Sequence, residues 1–266
     1  MKKKMDKLSY KEKLRKLPGI KFAKNNKKQL LYYFDEYKTH HIKVLSGGMY
    51  TSDHIVINFF EKFSKDGYIN MIDIINAFKK IEFHDHREML PAALLTMCLR
   101  ARCPNYVWAV GLNKEEDSHI DFYIAYRSFD DNKQDILSFQ QCEIPDNLKK
   151  NNKKIDQVIE KATEIIRKKL FDRYPKFEKP LNLFIFSQLS FSNTAKNNIY
   201  NILLEDFKKQ KIFKEIWFLY CNGIVDNDLE FGAEKVLLNG KVAVNRILIN
   251  SELEKYVLRK DYKFAR

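Results

Sequence analysis

The chain has 266 residues, 45% of them hydrophobic and 14% aromatic, enough apolar material for a sizeable core, so a disordered chain is excluded. A net charge of +13 points first to a phosphate-rich partner. No apolar run reaches the roughly eighteen residues of a membrane span, and the charged N-terminus has no apolar stretch behind it, so neither membrane nor secretory signal is expected. The cysteines Cys98, Cys103, Cys142 and Cys221 form no C-x-x-C pair and read as reduced thiols of a cytoplasmic protein.

In chain order, Lys27–His41 carries Leu30, Leu31, Phe34 and Tyr37 at spacings of three and four, the stripe of an amphipathic helix. Ser46-Gly-Gly-Met-Tyr-Thr-Ser52 interrupts it, and Ser52 or Asp53 then caps a second expected helix reaching about Phe63. Tyr68–Lys80 repeats the pattern with Met71, Ile72, Ile75 and Phe78. A fourth helix is expected over about Arg87–Arg102, with Pro91 in its first turn and Asp85 with Glu88 forming a capping pair ahead of it.

After Cys103-Pro104 the period changes. Tyr106–Leu112, Ile120–Arg127 and Ile136–Ile144 are rich in β-branched and aromatic residues and are joined by short polar turns, the pattern of an antiparallel meander. A helix follows over Lys154–Arg173, then a short apolar run, Leu181–Phe186, typical of a central strand. A helix over Thr194–Lys209 and a strand over Ile216–Cys221 come next. The tail is poorly patterned except for a hairpin signal, Asn239-Gly240, within Val236–Val244. These elements give an α/β fold: a helical N-terminal region over residues 1–86, an α/β core over 87–225, and a C-terminal extension over 226–266 with the hairpin.

Two acidic residues stand out. Asp121 lies in an apolar and aromatic strand, where a carboxylate without a partner is costly to bury, and Glu143 closes the next strand just before Pro145. Carboxylates on neighbouring strands are a common means of holding a divalent metal against a phosphate. Twelve Lys or Arg against two acids in residues 1–28, and eleven against six in 146–179, place the positive charge in clusters. Lys2, Lys3 and Lys4 in the first, and Lys149, Lys150, Lys153 and Lys154 in the second, are the candidates for contact with a nucleic-acid backbone.

The order helix, three-stranded meander, helix, strand, helix, strand, with an acid in the second strand and a polar pair in the third, resembles the PD-(D/E)XK nuclease-like superfamily over about residues 87–221. The resemblance implies a restriction-endonuclease-like core and a metal-dependent endonuclease using Mg²⁺ or Mn²⁺, with DNA rather than RNA as substrate. Asp121 matches the acid of the second strand. Gln141-Cys142-Glu143 stands where the family has Glu-x-Lys, so Gln141 replaces a metal-binding acid and Glu143 falls at the lysine position. The ligand set implied is Asp121 and Glu143, with Glu88 as an additional acid and Gln141 contributing an amide oxygen. Lys161 and Lys168 of the crossover helix are the candidate replacements for the missing strand lysine. A defence or restriction role, and a homodimer or protein partner met through the N-terminal helices, complete that expectation. The rival expectation is a catalytically silent nuclease-fold protein that binds nucleic acid or acts as a scaffold; the Gln141 departure favours it. Asp121 paired with Arg127 or Lys133, and a helix cap rather than a metal site at His84, Asp85, His86 and Glu88, are the plain structural readings of the same residues.

Overall fold

The computed structural model describes residues 84–103, 105–112, 119–128, 130, 134–149, 154–172, 180–225, 228–238, 241–242 and 246–248, together with short strands at 20–24, 30–34, 64–65, 68–69 and 263–264. Three helices and one large mixed sheet make up its body. The helices are α1 (His84–Arg102), α2 (Ile155–Leu170) and α3 (Asn193–Lys209). The short strands β1 (Ile20–Lys24) and β2 (Leu30–Phe34) pair antiparallel, while β3 (Ser64–Lys65), β4 (Tyr68–Ile69) and β13 (Lys263–Phe264) form a separate small sheet. The large sheet contains β5 (Tyr106–Leu112), β6 (Phe122–Ser128), β7 (Gln134–Ile144), β8 (Leu181–Ser187), β9 (Phe213–Val225), β10 (Asp228–Leu238), β11 (Lys241–Val242) and β12 (Arg246–Leu248).

The order across that sheet is β11-β10-β9-β8-β7-β6-β5, with β12 also paired to β10. Strands β5, β6 and β7 form the expected antiparallel meander, with Leu112 opposite Phe122 and Phe122 opposite Phe139. Strand β8 lies parallel to both β7 and β9, and each parallel pair is connected through a helix, as such pairs require. All seven residues of β8 are buried, which is why it reads as a continuous apolar run rather than an alternating one. Strand β10 returns antiparallel along β9.

Each face of the sheet has its own core. Phe122, Phe139, Phe184, Phe186, Trp217, Leu219 and Phe231 meet α1 on one face. Leu183, Ile185, Phe218 and Tyr220 meet α2 and α3 on the other. Helix α2 buries Val158, Ile159, Ala162, Ile166 and Leu170 at spacings of one, three and four, a single stripe against the sheet. Helix α3 begins at a capped end, where the Ser192 hydroxyl oxygen accepts from the Ala195 N–H at 3.2 Å. Helix α1 is buried over Leu90–Leu99 almost all round its circumference, so its residues carry no clean amphipathic period. No helix among the described residues is long and apolar enough to cross a membrane.

Several expectations need correction. Residues 30–34 are a strand, not part of a helix over Lys27–His41: Leu-Leu-Tyr-Tyr-Phe pairs residue by residue with Ile20–Lys24, and a short apolar run fits either period. Tyr68 and Ile69 are likewise a strand. The N-terminal region is therefore not purely helical; the rest of Tyr68–Lys80, and the whole of the helix expected to end near Phe63, lie outside the described residues. Helix α1 begins at His84, so Asp85 is inside it rather than capping it, and Pro91 lies in its interior rather than its first turn. The expected hairpin is present, with Leu238 opposite Lys241, but β10, β11 and β12 extend the core sheet instead of forming an appendage beyond residue 225.

Candidate functional site

Strand register decides what Asp121 and Glu143 can share. Phe122 stacks on Phe139 with ring centroids 4.9 Å apart, so these two side chains occupy the α1 face. Side chains alternate along a strand, which turns Gln140 of β7 towards the opposite face, that of α2 and α3, while Asp121 precedes β6. The contacts agree. Asp121 Oδ2 accepts from Gln140 Nε2 at 2.6 Å and from the Gln141 backbone N–H at 2.5 Å, and the Asp121 N–H donates to the Phe139 carbonyl at 2.9 Å. Gln141 and Glu143 share the parity of Phe139 and lie opposite Phe184 and Phe186, on the α1 face. Glu143 accepts there from Gln188 Nε2, a residue just past the end of β8 whose backbone N–H also donates to the Ile144 carbonyl. Gln140 and Glu143 therefore stand on opposite faces of β7, and Asp121, just before β6, is held against the β7 backbone by the Gln141 N–H.

The cationic candidates divide similarly. Lys161 is exposed and pairs with Glu164 at 2.7 Å, an ordinary one-turn helix pair. Lys168 is exposed as well. Lys169, which sequence reasoning passed over, is half-buried, and its charge acts on the buried Cys142 thiol of β7. Burial pushes that thiol up to about 12; Lys169 lowers it, while Glu143 and Asp121 raise it further. Cys142 Sγ lies 3.9 Å from the Ile165 carbonyl of α2, and the charges of Lys169, Glu143 and Asp121 all act on it. Glu88 lies near the start of α1, Lys154 is the exposed N-cap of α2, and Lys149 ends a short 3₁₀ turn over Asp146–Lys149. Lys2, Lys3, Lys4, Lys150 and Lys153 lie outside the described residues. No group of three or more His, Cys, Asp or Glu side chains among the described residues is arranged to hold a metal ion.

The most elaborate polar cluster lies elsewhere and was not anticipated. Glu234 of β10 accepts from Lys196 Nζ at 3.0 Å, from Tyr200 Oη at 2.5 Å and from Tyr220 Oη at 2.9 Å, with Lys196 and Glu234 only 3% and 1% exposed. The Lys196 ammonium also sits 3.7 Å from the centre of the Tyr220 ring. Burial pushes the Glu234 carboxyl up, but its three donors more than offset this and hold it below the ordinary range. Gly232 makes the arrangement possible, since a Cβ there would lie 2.4 Å from the Tyr220 ring. Lys196 and Glu234 are 38 residues apart in sequence, so no local motif announces the pair.

In comparison with known proteins, no family model, no curated protein and no solved structure matches the chain.

Proposed function

We propose that the chain is a nucleic-acid-binding protein on a nuclease-like α/β scaffold, with no joint Asp121–Glu143 metal centre. The observation that supports this reading is that the two carboxylates have different partners, Asp121 with Gln140 and Glu143 with Gln188. The element order from α1 through the meander, α2 and β8 supports the nuclease-like part, and the clustered lysines support the nucleic-acid part. Lysine-rich clusters suit attraction to a phosphate backbone better than the reading of bases.

The second reading, a nuclease dependent on Mg²⁺ or Mn²⁺, is favoured by one observation. Asp121 immediately precedes the second meander strand, and Lys169 of the crossover helix carries positive charge into the same neighbourhood. There Gln140, not Glu143, is the neighbour of Asp121, and a neutral amide is a weaker partner for a hard cation than a carboxylate.

Both readings are tested with the full-length protein, incubated with plasmid, single-stranded DNA and RNA in Mg²⁺, Mn²⁺ or EDTA, beside Asp121→Ala and Glu143→Ala. The expected result is binding without cleavage, with affinity falling by orders of magnitude between about 50 and 200 mM salt, as for proteins making several phosphate contacts. Metal-dependent cleavage abolished in Asp121→Ala would transfer the conclusion to the nuclease. Absence of both binding and cleavage would remove nucleic acid as the partner.

A further inference from the structure

Strands β9 and β10 are paired in two alignments. At one end of the hairpin Asp228 lies opposite Val225 and Glu230 opposite Gly223; at the other, Leu237 lies opposite Ile216 and Leu238 opposite Glu215. A single alignment joins these two ends, yet residues 231–235 between them are displaced by one residue and lie opposite residues 221–217. Two bulges bracket the displaced stretch, one with Asn222 as the extra residue of β9 and one with Val236 as the extra residue of β10. The extra residues lie in opposite strands and cancel, so a hairpin without either bulge would connect the same two ends. The displaced stretch is also the part of β10 that holds β12, with Gly232 opposite Leu248 and Glu234 opposite Arg246.

A step of one residue turns each side chain to the other face of the sheet, and here the bulge-free alignment meets four obstacles. Lys235 would take the place of Glu234 opposite Phe218, on the α3 face beside the buried Lys196. Glu234 would move to the α1 face opposite Leu219, into a fully buried apolar core. Val236 would replace Lys235 opposite Trp217, and Glu215 would lose the ammonium now 3.1 Å away. Ala233 would come opposite Tyr220, at a place where a Cβ lies 2.4 Å from the ring and Gly232 now stands. We propose that Gly232, Glu234 and Lys235 form a register lock, in which Lys196 on one face and Glu215 on the other hold the displaced alignment against the bulge-free one. The lock is a conformational device: adjacent residues of opposite charge, each matched on its own face, make either face reject the slipped strand. It seats β12 as well, because β12 pairs with the displaced stretch.

The test moves the locking pattern by one place in the full-length protein and reads the alignment by cross-strand nuclear Overhauser contacts of the Leu219 amide. Transposing valine from the end of the block to its start (Phe231→Val, Gly232→Phe, Ala233→Gly, Glu234→Ala, Lys235→Glu, Val236→Lys) preserves composition and makes the bulge-free alignment the matched one. The native chain should show Leu219 against residue 233, and the transposed chain should show it against residue 234. A folded transposed chain that keeps Leu219 against residue 233 would overturn the proposal. If the transposed chain does not fold, the decision passes to a variant that removes the selection, Lys196→Met, Ala233→Gly, Glu234→Gln and Lys235→Gln. That variant should show both contacts, and a single contact at residue 233 in it would equally overturn the lock.

Discussion

Each face of the β9–β10 hairpin meets a lysine–glutamate pair, one with its lysine on α3 and one within the hairpin, and the two differ in enclosure. On the α3 face, Lys196 and Glu234 are almost completely enclosed, with two tyrosine hydroxyls satisfying the carboxylate. On the α1 face, Lys235 Nζ meets Glu215 Oε1 at 3.1 Å, Trp217 Nε1 donates to Glu215 Oε2 at 2.9 Å, and the ammonium lies 4.6 Å from the Trp217 ring centre. The lysine there keeps 21% of its side chain in solvent. The same chemical pair is thus sealed on one face, while on the other the lysine is partly solvated and the glutamate is only 11% exposed. The difference teaches that what matters is what each partner keeps when the other is lost, since Glu215 without Lys235 stays buried with Trp217 Nε1 as its donor.

Breaking the enclosed pair should have the largest effect. Lys196→Ala or Glu234→Ala is expected to cost about 3–5 kcal/mol in urea unfolding, whereas Lys196→Met with Glu234→Leu should recover most of that loss. The pair also has a pH signature. Because the folded protein holds Glu234 below its ordinary value of 4.5, its contribution is complete above that value and is lost as pH falls through it towards the lower folded value. Acid unfolding of the native chain should therefore steepen below about pH 4.5, and Glu234→Gln should flatten that limb. A parallel acid limb in the two proteins would show that other groups govern it.

Gly232→Ala probes the same enclosure through volume. The added methyl meets a Tyr220 ring already fixed by Glu234, and overpacking of this kind costs about 1–3 kcal/mol. Its loss should shrink when combined with Tyr220→Leu, which removes the obstructing ring, and thermal melts of the two single variants and the double variant would measure that coupling. At the more open pair, Lys235→Ala should cost less than Lys196→Ala, because Lys235 is partly solvated and Trp217 Nε1 still donates to Glu215. An equal loss in urea unfolding would mean that the two faces are more alike than their exposure indicates.

Much of the fold is legible in the sequence, for local reasons. The meander announces itself by β-branched and aromatic runs between polar turns, β8 by an unbroken apolar run between proline and a capped helix, and the β10–β11 turn by Asn239-Gly240. Strand β2 was misread because five consecutive apolar residues carry no period of their own, and its pairing with β1 settles the matter. Strand β9 runs past its expected end at Cys221 to Val225, and β10 begins at Asp228, well before the expected hairpin at Val236. Of the candidate site, the residue types were legible but the faces were not. That Asp121 takes the Gln140 side chain and the Gln141 backbone N–H is a matter of how β6 and β7 meet, and no spacing count along the chain contains it.

The parallel pairing of β7 with β8 has a consequence for biosynthesis. Asn182 Nδ2 donates to the Ser138 carbonyl across that seam, a contact between residues 44 positions apart. The meander can close on neighbours already made, but the inner edge of β7 must wait for α2 and β8 to be translated. At ribosomal rates of about 5–20 residues per second, that edge stays open for several seconds. During this interval the nascent chain exposes a strand edge bearing Phe139 and Cys142, so chaperone demand should peak between completion of β7 and emergence of β8.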